Sequence, residues 1–208
     1  VFGGRGETFA GVTDPDKVTR LLDHLNNPNE FNCRYPVPSL SSDNPNYLDN
    51  GRYWQGGVWA PTNYMVVRGL IRCGQYATAR EISLKHIYQM VRVYRDFTPH
   101  SIWECYSPEC AKPARNERGQ YVRKDFCGWS ALGPIAMLIE AILGLEIDYP
   151  GRKITWRSNF VKEHGIRNLK FGPHQISLIA KERKSINEVP VLITDLPAGV
   201  TIKFEIVE

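Results

Sequence analysis

Glu104 stands in the run Ser101-Ile102-Trp103-Glu104-Cys105-Tyr106-Ser107-Pro108-Glu109, with an aromatic residue on either side. Sugar chemistry needs such a setting: flat apolar faces for the ring, and a carboxylate to handle the glycosidic oxygen or the attacking water. Pro108 takes the chain out of any helix at that point. The same run can also be a plain helix-to-loop junction, with Trp103 and Tyr106 serving as core. Glu109 is either an acid supporting Glu104 or a solvated loop residue, and the residues alone favour the solvated role.

Two further runs carry aromatic residues among glycines. One is Tyr53-Trp54-Gln55-Gly56-Gly57-Val58-Trp59-Ala60-Pro61, and the other is Asp125-Phe126-Cys127-Gly128-Trp129-Ser130. Trp54 and Trp59 in a glycine-rich loop suit ring binding, whereas Gly56 and Gly57 can simply permit a tight turn. Trp129, at the start of a helix, can wall a pocket or pack a core. The cysteines fall at 33, 73, 105, 110 and 127, an odd set without a disulfide framework or CxxC pair, so no metal or other cofactor is expected.

The elements that must position these runs are mostly helical. Asp14-Pro15-Asp16 followed by Val18, Leu21, Leu22 and Leu25 predicts a capped helix that stops near Asn26-Asn27-Pro28. Residues 28–60 form a long connector rich in Pro, Asn, Ser and Asp, a length that is usually functional. Pro61-Thr62-Asn63 opens a helix to about Arg72, with Gly74 as its stop, and a second helix over 78–94 returns antiparallel to it. A loop covers 111–124. An apolar helix over 130–143, capped by Ser130, is then expected to be buried on most sides. From Pro150 the pattern changes to short β-branched runs at 153–157, 166–171, 175–180, 189–194 and 200–207. They predict a small antiparallel β domain at 150–208, sandwich-like, after a helical domain at 1–149. If the helices alternate up and down, the three aromatic runs gather at one mouth.

Composition narrows the function classes. Of 208 residues, 42% are hydrophobic and 23% charged, and the net charge of +4 comes from 26 basic residues spread along the chain. No dense basic block marks a nucleic-acid partner. There is no apolar run of about eighteen residues, so no membrane partner is expected. Five Trp, ten Tyr and eight Phe make the chain rich in aromatic residues. It begins at Val1 in Val-Phe-Gly-Gly-Arg-Gly, without an initiator Met, as the interior of a longer protein would.

Three motifs in order resemble those of trehalase-like and processing α-glucosidase-like glycoside hydrolases, families 37 and 63. They are Tyr53 to Tyr64, Trp103-Glu104-Cys105-Tyr106-Ser107-Pro108, and Phe126-Cys127-Gly128-Trp129-Ser130, within about residues 50 to 145. The resemblance implies an (α/α)6 toroid followed by an accessory β domain, and an inverting hydrolase of α-linked sugars. It implies that Glu104 is the general base and that Trp54, Trp59 and Trp129 stack on or wall the sugar. Gln55 and Tyr106 would hydrogen-bond the sugar, and Tyr53 is counted with these substrate-binding residues. The family's second acid, which protonates the leaving oxygen at about 6.5–9.5 Å from the base, has no counterpart before residue 50. Asp14 and Asp16 fit helix capping, and Asp43 and Asp49 lie in the connector without aromatic neighbours. The expectation is therefore a C-terminal part of a glycosidase, inactive alone and partnered by its missing N-terminal part and a carbohydrate substrate. The alternative is a non-catalytic carbohydrate-binding or assembly protein derived from such a barrel.

Overall fold

The computed structural model describes residues 14–207, and the opening run Val1 to Gly6 lies outside them. The chain divides into two compact units, with the boundary between Ala141 and Ile142.

In the first unit, helix α1 (Pro15–Asn26) starts as its sequence dictates. The Asp14 carboxylate accepts the Asp16 N–H at 3.0 Å, and Pro15 fills the first turn. Helix α2 (Ala60–Arg72) begins one residue before the expected proline. The Thr62 hydroxyl and the Asn63 amide both donate to the Trp59 carbonyl, at 3.0 and 3.2 Å. Asn63 also donates to Val37 O at 3.2 Å, which ties the helix start to the connector. Gly74, with φ +74°, ends the pair's first arm in a conformation a Cβ disfavours. Helix α3 (Tyr76–Asp96) then packs back on α2. Leu25, Val37, Val66, Val67, Leu70, Ala79 and Ile82 form the buried cluster between these elements.

The expected connector over 28–60 is ordered by its backbone and is not an open loop. Tyr35 N–H donates to Pro108 O at 2.8 Å, and Ser39 N–H to Gly57 O at 2.9 Å.

The segment after Gly128 corrects the sequence expectation. It is a 3-10 turn (Trp129–Leu132) running into a π-helix (Gly133–Ile142), and its face is not fully covered: Ile135 is 59% exposed. Ser130 does not cap a helix there. Apolarity on most sides gives no phase from which to distinguish helical periods, so the sequence could not tell α from π. Glu140 on this π-helix accepts Tyr64 Oη at 3.1 Å and the Arg68 guanidinium at 2.8 Å, which joins it to α2.

The second unit holds two three-stranded sheets. One contains β1 (Leu145–Asp148), β2 (Lys153–Ser158) and β6 (Thr201–Ile206), and the other β3 (His164–Phe171), β4 (His174–Ala180) and β5 (Leu192–Thr194). Four pairings were open to hairpin logic, and one departs from it: β2 and β6 run parallel, from Lys153 opposite Thr201 to Ser158 opposite Ile206. β1 lies before the expected boundary at 149, but it pairs with β2 and so belongs to the β unit. Ile154, Trp156, Ile176 and Leu178 are its buried centre. Arg157 on β2 reaches Glu146 at 2.6 Å and Glu205 at 2.7 Å, holding the three strands in register.

Candidate active site

Main-chain bonds bring the three aromatic runs together. Val58 and Tyr106 exchange both N–H···O bonds, at 2.9 and 3.0 Å, as an isolated antiparallel bridge. Tyr53 N–H donates to Arg115 O at 3.0 Å, Ala114 N–H to Cys105 O at 3.1 Å, and Glu104 N–H to Arg123 O at 2.9 Å. The third run joins through one main-chain bond, Phe126 N–H donating to Ile102 O at 2.9 Å, and through side chains. Ser130 Oγ donates to Glu104 O at 3.2 Å, and Ser101 Oγ donates to Asp125 Oδ1 at 2.6 Å. From α3, the buried Gln89 amide donates to the carbonyls of Ser107 and Cys110, the latter at 3.1 Å. A loop otherwise short of regular structure is thus fixed on both sides of Glu104.

The Glu104 side chain is half-buried, and its Oε2 accepts the Tyr53 hydroxyl at 3.1 Å. Arg123 N–H points at the same oxygen from 3.5 Å, at the outer limit of a hydrogen bond. Among the described residues no donor is recorded on Oε1. Burial first, and then the Glu104 charge, push the Tyr53 phenol above its usual range, so it remains a proton donor to the carboxylate.

Tyr53 itself is held under backbone constraint. Its φ is +45°, a left-handed conformation that residues with a Cβ rarely adopt. Its carbonyl accepts from Gly57 N–H at 2.8 Å, Ser39 Oγ at 3.2 Å and Trp59 Nε1 at 3.3 Å. The two glycines after it are required by space. A Cβ on Gly57 would stand 2.4 Å from Tyr53 O, and one on Gly56 would stand 2.7 Å from Leu48 O.

The predicted binding residues separate into two groups. Trp54 and Trp129 are 50% and 46% exposed and share the buried Trp59 as support. Trp54 stacks on Trp59 with centroids 4.3 Å apart and planes 8° from parallel, while Trp129 meets Trp59 edge-on at 6.0 Å. Tyr53, whose hydroxyl bonds Glu104, also meets Trp59 edge-on at 5.5 Å, so the three rings share one support. Trp59, Tyr106 and Gln55 form the other group. Trp59 is 1% exposed and serves as the layer beneath. Tyr106 is also 1% exposed, and its hydroxyl accepts Trp103 N–H at 3.1 Å inside the cluster of Tyr35, Val58, Trp103, Cys105 and Val122. The core alternative for Trp103 and Tyr106 is the one the structure adopts. Gln55 directs its amide to Asn46 O at 3.4 Å.

Sequence reasoning missed two contributors. Glu109 is not merely solvated: its Oε1 accepts Tyr47 Oη at 3.0 Å, and the Tyr47 ring lies against Gly56. The 62 residues separating the pair hid it. The turn over 116–120 also borders Tyr53. Its Asn-x-x-Gly pattern was a turn signal, but nothing in it announced the neighbour.

Residues 8–126 match the family described as mannosylglycerate hydrolase MGH1-like glycoside hydrolase domain, and the chain belongs to that family. Curated relatives include an uncharacterized protein of Borreliella burgdorferi, 29% identical over 83% of this chain and 37% of its own length. A protein of Schizosaccharomyces pombe named probable mannosyl-oligosaccharide glucosidase is 28% identical over 57% of this chain and 15% of its own length. The mannosylglycerate hydrolase of Thermus thermophilus is 31% identical over 40% of this chain and 20% of its own length. Among solved structures, the family 63 mannosylglycerate hydrolase of Thermus thermophilus in complex with glucose is 26% identical, with a TM-score of 0.49 over 64% of this chain and 29% of that one. None of these named relatives is a trehalase. The chain spans 37% or less of the length of these curated relatives.

Proposed function

We propose that this chain carries the water-activating half of an inverting glycoside hydrolase centre for α-linked sugars, within what would be an (α/α)6 toroid in the longer polypeptide. The observation that carries the proposal is the Tyr53 hydroxyl donating to Glu104 Oε2 at 3.1 Å, with Tyr53 and two exposed tryptophans packed on the same Trp59. With one oxygen engaged, Oε1 is left to accept a proton from water. Water then attacks the anomeric carbon from the face opposite the leaving group, and its proton passes to Glu104. The C–O bond to the leaving group breaks as a separate acid protonates that oxygen. Trp54 and Trp129 provide flat apolar faces for the ring. The acid is assigned to a part of the polypeptide other than this chain, so the isolated chain is expected to bind sugar without hydrolysing it.

The test is Glu104→Gln in the longer natural polypeptide, assayed on a panel of α-linked disaccharides and aryl α-glycosides. Turnover should fall on the order of 10²–10⁴-fold, with sugar affinity retained, and proton NMR should find the opposite anomer as first product. Unchanged turnover would remove Glu104 from the mechanism.

A further inference from the structure

Helix α3 buries one side and carries an apolar row on the other. Ile82, His86, Met90 and Val93 point into the unit and are buried. On the opposite side Ala77, Glu81, Leu84, Tyr88, Val91 and Arg95 are all exposed, and they follow one another in alternating steps of four and three residues. That is the spacing of a coiled-coil seam, which keeps a single line of side chains turned toward a neighbouring helix. The middle of the line is apolar, with Tyr88 at 61% and Val91 at 57% exposure. A helix side facing water is ordinarily polar, and a contiguous apolar strip rimmed by charge marks an interaction surface.

The charges at the two ends of the row select its occupant. Glu81 lies seven residues before Tyr88 and Arg95 seven residues after it. At 1.5 Å per residue, each stands about 10 Å from Tyr88 along the axis. Laying a second copy of α3 antiparallel, with the two-fold axis at Tyr88, brings each Glu81 level with the other copy's Arg95. Leu84 of one copy then lies beside Val91 of the other, and the two Tyr88 rings meet at the centre. A parallel copy would set Glu81 against Glu81 and Arg95 against Arg95, which like charges oppose. The helix thus carries both halves of a complementary pattern at equal distances from its middle, so its matched partner is itself.

Local ion pairs do not close these groups. Lys85 reaches Glu81 at 2.7 Å and Asp96 holds Arg95 at 2.5 Å. Exposed pairs of this kind are weak, and both a carboxylate and a guanidinium can serve a second partner. Arg92, on the flank of the row, has Asp96 at 3.8 Å, so Lys85 and Arg92 each carry an acid of their own helix into the contact.

We propose that the outer face of α3 is a homodimer contact, in which two copies of this chain pack α3 against α3 antiparallel across Tyr88. The proposal is independent of the glycosidase role. One helix pair is a small interface beside those of obligate dimers, so association is expected at a Kd on the order of 10 µM.

Sedimentation velocity of the longer natural polypeptide, from about 1 to 200 µM, should show a reversible monomer–dimer equilibrium. Tyr88→Glu, which sets two carboxylates together on the axis, should weaken the dimer about thirtyfold or more. Glu81→Arg and Arg95→Glu should each weaken it about tenfold when alone. An equimolar mixture of those two single variants should recover the dimer to within about threefold of the parent, because in the mixed pair both ends match opposite charges. All three positions are exposed, so the variants should fold, and far-ultraviolet circular dichroism checks it. A monomer throughout the range would mean that no second copy covers the row. A dimer indifferent to Tyr88→Glu would place the contact elsewhere, and a mixture no tighter than its components would exclude the antiparallel pairing. Each of these results overturns the proposal.

Discussion

Tyr53 reaches across 51 residues of sequence to donate its hydroxyl to Glu104 Oε2 at 3.1 Å. Its backbone is locked in a left-handed conformation by three donors on one carbonyl. Strained residues of this kind persist where the surroundings over-determine them, and they concentrate at functional sites. The relationship makes Tyr53 a positioning residue for the carboxylate.

Tyr53→Phe keeps the ring and its packing but frees Oε2. In the longer polypeptide kcat should fall roughly tenfold or more, while KM stays within about twofold, because the loss concerns carboxylate orientation more than sugar contact. Steady-state kinetics on the best α-linked substrate decides the matter. A change confined to KM would mean that Tyr53 holds sugar instead.

Trp54 and Tyr106 should behave as opposites. Trp54→Ala removes a half-exposed ring, so sugar affinity should drop roughly tenfold with little change in the unfolding midpoint. Tyr106→Phe strands the Trp103 N–H in the core and should cost about 1 kcal/mol of stability with sugar affinity intact. Paired calorimetry and urea unfolding of both variants would show whether binding and stability separate in this way.

Gly57→Ala places a methyl carbon 2.4 Å from Tyr53 O and 2.9 Å from Trp59 Nε1. Neither the backbone carbonyl nor the buried indole can move far, so the variant should lose about 2–3 kcal/mol. Tyr53 should lose its grip on Glu104 as well. Thermal unfolding of the chain, and kcat in the longer polypeptide, should both fall. A variant as stable as the parent would show that the loop yields without strain.

His86 is fully buried on α3, against Gly133 and Tyr106, and both its ring nitrogens lack partners among the described residues. Burial lowers its pKa to about 4, well under the unfolded value. Between about pH 6.5 and pH 4 the unfolded chain takes up a proton that the native state refuses, so stability falls as the pH drops through that window. The contribution is on the order of 3 kcal/mol. His86→Leu should remove this slope and be as stable as the parent, or more so, below pH 5. Urea titrations at pH 7 and pH 4.5 would check it, and parallel losses in the two proteins would acquit His86.

Much of this was legible from residue order alone. The Asp14-Pro15 start, the Gly74 stop and five of the six strands follow local rules of capping, φ preference and alternation. Glu104, Trp54 and Trp129 stand out as candidates because their residue types and neighbours are local in sequence. The parallel register of β2 with β6 could not, since short strands of similar pattern carry no direction. Nor could the depth of Tyr106. A ring beside a carboxylate reads the same whether its hydroxyl faces a ligand or the Trp103 amide, and only the packing of Val58, Ala114 and Val122 around it decides. The Tyr53 link and the Tyr47 link to Glu109 were invisible because each joins two loops remote in sequence.

The same remoteness has a kinetic side. The α2–α3 hairpin turns within a few residues around Gly74 and can form early, because its ends need little loop closure. The contacts that frame Glu104 span far more: Tyr53 to Glu104 closes 51 residues, Asp49 to Ser107 closes 58, and Arg52 to Glu117 closes 65. The surroundings of Glu104 are therefore the high-contact-order part of this unit. In pulsed hydrogen exchange the amides of Tyr53, Glu104 and Val58 should gain protection after those of the helical hairpin.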